Sequence, residues 1–163
     1  MAKSKKSKAN VKFKGIADLI DTVQIAQNFS DDSQAGTIIF RNLEAATNVG
    51  PVATRVATLS IPLKGNDKSR VSVKQDIRGY VDADKGARAS LVVQTGGNTK
   101  VINLKKFNGK DFEERITTRL GHNDDLQITF FLLAERIDTG NDDVGALLQI
   151  DSLNVEIVNG KSK

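Results

Sequence analysis

From residue 36 onward, apolar side chains fall at every second position, the period of a β-strand with one buried face. In residues 56–63, Ala57, Leu59, Ile61 and Leu63 alternate with Val56, Thr58, Ser60 and Pro62. In residues 69–81, Val71, Val73, Ile77 and Val81 point one way, and Arg70, Ser72, Lys74, Asp76, Arg78 and Tyr80 the other. That pattern predicts a half-solvated antiparallel strand. Ala89, Leu91 and Val93 repeat it, as do Phe112, Ile116 and Leu120 between Glu113, Arg115, Thr117 and Arg119. Residues 126–134, LQITFFLLA, are almost continuously apolar and predict a central strand buried on both faces. The expected core includes Val73, Ile77, Leu91, Ile128, Phe130 and Leu132.

The last strand changes phase. Leu148 and Ile150 occupy even positions, whereas Leu153, Val155 and Ile157 occupy odd ones. A period of two cannot do this without an extra residue, so a β-bulge is expected near Asp151-Ser152. Turn-forming residues separate the runs at Lys64-Gly65-Asn66-Asp67, at Asp82-Ala83-Asp84-Lys85-Gly86 and at Gly121-His122-Asn123-Asp124-Asp125. Gly96-Gly97-Asn98 is a hairpin signal. Seven or eight strands at this spacing predict an all-β chain folded as an antiparallel β-sandwich of jelly-roll type.

Upstream the period differs. Ile16, Leu19, Ile20 and Val23 fall at i, i+3, i+4 and i+7, which predicts a short N-terminal helix. Before it, residues 1–14 hold Lys3, Lys5, Lys6, Lys8, Lys12 and Lys14 and no acid. Without these six lysines, the 24 basic side chains fall to 18, against 20 acidic ones. The sequence therefore predicts a disordered basic arm over residues 1–15 joined to a slightly acidic domain over residues 16–160. Such an arm attracts anionic partners, nucleic acid among them, and lacks the arginines and stacking aromatics that read bases.

Chemistry is sparse. The 163 residues contain no cysteine, which excludes disulfides, thiolate metal sites and a cysteine nucleophile. His122 is the sole histidine and has no serine in a nucleophile setting, so no catalytic set is expected. Adjacent carboxylates such as Glu113-Glu114 point to opposite faces of a strand and cannot flank one glycosidic bond. Asp138, Asp142 and Asp143, in a glycine-containing loop, are a candidate Ca²⁺ set of hard oxygen donors. The lysines precede no apolar segment, and no window approaches 18 apolar residues. A protein of the cytoplasm or of a virion, without a membrane span, is the expectation.

Residues 56–158 carry a recognisable order: VSVKQDIRGYVDADKGARASLVVQ, the charged strand DFEERITTRL, the buried strand LQITFFLL, and an acidic loop closing on LLQIDSLNVEI. That order resembles the galactose-binding-like sandwich of carbohydrate-binding modules. The resemblance implies a sandwich fold and a sugar-gripping aromatic. The chain has no tryptophan and one tyrosine, so Tyr80, on the polar side of its strand, is the available platform. A compact sandwich with a cationic arm also resembles small jelly-roll coat, cement and decoration proteins. The sequence thus supports a non-enzymatic structural subunit of a virion, whose arm touches neighbouring subunits or nucleic acid. Mixed-sign strand faces are in keeping with self-association as a homo-oligomer. The alternative is a carbohydrate-binding domain.

Overall fold

The computed structural model describes residues 11–14, 18–20, 23–65, 70–121 and 124–158. Two antiparallel sheets pack face to face. The first runs β1 (Lys12–Phe13), β6 (Val52–Lys64), β11 (Asp125–Arg136), β8 (Ala87–Thr95) and β9 (Asn98–Ile102), with β2 (Asp18–Ile20) also beside β6. The second runs β10 (Lys110–Leu120), β7 (Val71–Ala83), β12 (Ala146–Val158), β4 (Ala35–Arg41) and β3 (Gln24–Phe29), with β5 (Glu44–Ala46) beside β12. The expected all-β sandwich is present.

The core lies between the sheets, where the inward half of each alternating strand meets its counterpart. Val73, Ile77, Leu91, Ile128 and Phe130 are fully buried and Leu132 is 2% exposed, as the alternation requires. Phe130 of the first sheet meets Phe40 of the second edge to face, with ring centroids 5.7 Å apart. A two-residue hairpin turn of type I′ needs positive φ at both central positions, and Gly96 (φ 55°) and Gly97 (φ 80°) supply it between β8 and β9.

The bulge lies where the phase change places it. Ile150 pairs with Gly79 and Ser152 with Arg78, so Asp151 is the extra residue of β12. Gly79 belongs to the same device. A Cβ on it would collide with the Gln149 carbonyl and with the Phe112 ring, so only glycine lets the bulged strand sit this close.

Three expectations change. The short N-terminal helix over 16–23 is replaced, within its described part, by β2, whose Leu19 pairs with Leu59. An apolar stripe of two turns is too short to hold a helix by itself, whereas β6 offers a line of backbone partners. Among the described residues the one helical turn is 3₁₀, Leu104–Phe107. Second, β11 is not buried on both faces. Leu126, Ile128, Phe130, Leu132 and Ala134 enter the core, but Phe131 and Leu133 are half-buried on the outer face. Third, part of the expected arm is structured: Lys12–Phe13 pairs with Leu63 and Lys64, and Val11 and Phe13 are buried. Phe13 packs on Phe29 at 5.7 Å.

Candidate ligand-binding face

The outer faces of the two sheets differ in chemistry. On the first, strand pairing lines up outward side chains in rows across β6, β11, β8 and β9. One row is Val56–Phe131–Val92–Val101, and the next is Thr58–Thr129–Gln94–Thr99. Shorter rows flank them, Thr54–Leu133–Ser90 and Ser60–Gln127. None of these thirteen residues is charged. The apolar row is open to solvent at both ends, with Val56 50% and Val101 71% exposed.

The polar row is held in place by its own hydrogen bonds. The Thr58 and Thr129 hydroxyls lie 3.1 Å apart, and the Gln94 amide donates to the Thr99 hydroxyl at 3.4 Å. Where this row meets the β8–β9 turn, a cleft of about 330 Å³ is lined by Gln94, Gly96, Gly97, Asn98, Thr99, Asp125, Gln127 and Thr129. Its groups are amides and hydroxyls, which both give and accept hydrogen bonds, with one carboxylate, Asp125, at the rim. Charge reappears at the far end of the face, where Arg88 and Glu135 pair at 2.6 Å.

The second sheet's outer face carries ion pairs across β10, β7 and β12. Arg115 holds Asp76 by two donors, its Nη2 3.0 Å from Oδ2. This contact keeps the Asp76 carboxyl below its ordinary value against the opposing effect of burial. Lys74 faces Glu156 at 3.9 Å, and Arg78 faces Glu113 at 3.4 Å. On the other, inward side of β10, burial raises the Glu114 carboxyl, but Lys106 at 2.9 Å and Lys100 at 3.5 Å outweigh it and the net shift is downward. Tyr80 lies on the outer face, half-buried between Asp111 of β10 and Gln149 of β12. Beside it the bulge presents Asp151, which accepts from the Gln149 amide at 2.7 Å.

The loop end of the sandwich carries the candidate calcium ligands. Asp142 pairs with Arg136 at 2.6 Å, and Asp138 accepts from the backbone of Gly140 at 3.2 Å. Asp143 donates its backbone N–H to the Asn141 side chain at 3.0 Å. The Asp138 and Asp142 carboxylates are thus engaged with different partners. Among the described residues no group of three His, Asp or Glu side chains is arranged to hold a metal. Lys12 and Lys14 are exposed on either side of buried Phe13. Lys3, Lys5, Lys6, Lys8 and His122 lie outside the described residues, as do Asn66 and Asp67 of the expected turn.

Sequence reasoning singled out neither Gln94, Gln127 nor Thr129. Alternation marks each as outward, but only the strand order β6-β11-β8-β9 brings them together.

No protein-family model matches the chain, and no curated relative does. Among solved structures, it is similar to a carbohydrate-binding module (CBM6cm-2) from Cellvibrio mixtus lichenase 5A in complex with cellotriose. There the identity is 14% over 93% of each chain, with a TM-score of 0.32. It is also similar to the C-terminal CBM6 of LamC, a marine laminarinase from Zobellia galactanivorans, at 9% identity over 90% of this chain and 96% of that one, TM-score 0.28. A third is TmCBM27, a mannan-recognising carbohydrate-binding module, at 11% identity over 90% and 88% of the two chains, TM-score 0.24. Modules of the kind that residues 56–158 resemble are thus among the structures this chain is similar to. Nothing in these comparisons or in the strand faces supports a virion role. Among the described residues, no helix is long and apolar enough to cross a membrane.

Proposed function

We propose that this protein is a non-catalytic binding module that holds a neutral glycan against the outer face of its first sheet. The observation that carries this reading is the row structure of that face: thirteen adjacent outward positions, none charged. A neutral polyol needs partners that both give and accept hydrogen bonds, and Gln94, Thr99, Gln127 and Thr129 supply them. The apolar C–H faces of a sugar need flat apolar surface, which the Val56–Phe131–Val92–Val101 row supplies.

Size supports a small or linear ligand over a folded protein. Two strands contributing about seven residues each, one about five and one about three, at about 3.3 Å per residue and about 4.8 Å apart, make a patch on the order of 350 Å². A standard protein–protein interface covers roughly 800 Å² on each partner. Tyr80, on the opposite sheet among carboxylates, has no part in this site.

Affinity electrophoresis in gels containing soluble β-glucan, mannan, xylan or a polyuronate tests the reading. Retardation by at least one neutral polymer, and none by the polyuronate, is the expected result. Unretarded migration in all the neutral gels would defeat it.

A further inference from the structure

Lys74, Lys100 and Lys106 each have a carboxylate partner, at 3.9, 3.5 and 2.9 Å. At β1 the pattern reverses. Lys12 stands directly opposite Lys64 of β6, and Lys14 donates its N–H to the Pro62 carbonyl at 2.9 Å. All three lysine side chains are exposed, and among the described residues none forms an ion pair. Asp32, whose charge is felt at Lys12, is already held by the Ser30 hydroxyl at 2.6 Å and the Gln34 N–H at 3.1 Å. Asp125 stands a strand away, opposite Pro62. Like charges directly across a ladder are destabilising. A single lysine is enough to guard an edge strand. Here a second one faces it, and Lys3, Lys5, Lys6 and Lys8 precede it in a stretch of fourteen residues without an acid.

We infer that the lysines of residues 1–14, together with Lys64, form a sequence-independent binding site for double-stranded nucleic acid. The site lies beyond the uncharged rows of the first sheet, at the end of β6, and does not depend on glycan binding there. Val11 and Phe13 are buried, which ties the start of β1 to the sandwich. The positions of Lys12, Lys14 and Lys64 relative to one another are therefore set before a ligand arrives, and less ordering is left to oppose binding.

The chemistry of these residues selects the polyanion. A lysine ammonium is a compact point charge without the planar fork of arginine, so it follows charge density more than group geometry. Duplex nucleic acid presents one charge per about 1.7 Å of its axis, whereas a polyuronate presents one per sugar ring. Residues 1–14 contain no arginine, and their one aromatic, Phe13, is 4% exposed. Neither base reading nor the stacking that holds single strands is then available, which leaves the duplex backbone. A bilayer surface fits less well. Stable anchoring of a basic segment needs apolar side chains or an acyl chain in the membrane, and Val11 and Phe13 are committed to the core.

Fluorescence anisotropy of two labelled duplexes of unrelated sequence, titrated with the full chain across a salt series, tests this. Both should bind alike, with affinity falling on the order of a thousand-fold between roughly 50 and 200 mM salt. Six lysines and Lys64 limit the slope of log K against log salt to no steeper than about −6. K12Q and K64Q should each make that slope shallower by about 1. Both should melt no lower than the wild type, because each removes one of two facing charges; a purely structural lysine would show the opposite. K85Q, an exposed position at the other end of the sandwich, should match the wild type. A polyuronate should compete poorly for the duplex. Failure to bind either duplex at about 50 mM salt overturns the proposal. So does a wild-type slope in both K12Q and K64Q, a preference for one duplex sequence, or binding to phosphatidylserine vesicles without binding to the duplexes.

Discussion

Gln75 of β7 donates its side-chain amide to the Thr118 hydroxyl of β10 at 2.8 Å, inside an otherwise apolar core. The Thr118 hydroxyl also lies 3.1 Å from that of Thr95 in the opposite sheet, so three buried polar side chains tie the two layers together. The Gln75 amide oxygen meets no donor among the described residues. Removing a partner from a buried amide costs more than removing the amide itself. Thr118→Val, which leaves Gln75 without its acceptor, should therefore destabilise by about 1–3 kcal/mol. Gln75→Leu should be nearly neutral, because Thr118 keeps Thr95. Urea unfolding of both variants checks the order, and a larger loss in Gln75→Leu would contradict it.

Phe13 distinguishes a structured start from a free arm. It is 4% exposed and packs on Phe29. Phe13→Ala should lower stability by about 3 kcal/mol, whereas an unattached arm would tolerate it without change. Thermal and chemical unfolding give the answer directly.

Two carboxylates pull the pH dependence in opposite directions. Arg115 depresses Asp76, so the stability Asp76 contributes is complete above its unfolded value, near 4, and is lost as pH falls through the lower folded value. Asp151 is raised by burial, with the Gln149 hydrogen bond opposing and Asp111 reinforcing. The folded chain holds that proton more tightly, so this group costs stability as pH rises through its unfolded and then its folded value. Melting temperatures against pH should show Asp76→Asn less stable at neutral pH with a shallower acid limb. Asp151→Asn should be more stable at neutral pH, with little difference in acid.

Glycan binding, if it uses the first sheet, depends on Gln127 and Gln94 and not on Tyr80. Loss of one neutral hydrogen bond is worth about 1 kcal/mol, or roughly a five-fold weaker Kd. Calorimetric titration should give that loss for Gln127→Ala and for Gln94→Ala, and none for Tyr80→Ala. The reverse pattern would move the site to the second sheet.

Strand faces were legible in the sequence wherever one side is wet. The contrast of Val73 and Ile77 with Arg78 and Tyr80 is a local signal, and so is the phase slip that located the bulge. The 126–134 run misled because apolar content alone does not report exposure: Phe131 and Leu133 lie on the face that carries the apolar row. Ile16 to Val23 misled for a related reason. A helical period over two turns weighs less than an adjacent strand with backbone groups to satisfy. Alternation puts Gln75 on the buried side of β7, but its hydrogen-bond partner Thr118 stands 43 positions away, so no local pattern announces the polar link. The uncharged face is likewise a product of strand order, which no local pattern encodes.

The extra residue at Asp151 also fixes what β12 can endure by way of insertion and deletion. Upstream of it Leu148 and Ile150 fill the core, and downstream Leu153, Val155 and Ile157 do so on the opposite parity. Loss of Asp151 itself would leave Leu148, Ile150, Leu153, Val155 and Ile157 in one unbroken alternation, whereas loss of Asn154 would carry Val155 and Ile157 toward solvent and turn Glu156 inward. In most surface loops one residue more or less passes unnoticed. Along β12 the reverse holds on either side of the bulge, and the bulge itself is the place where one residue can go while the core face stays in phase.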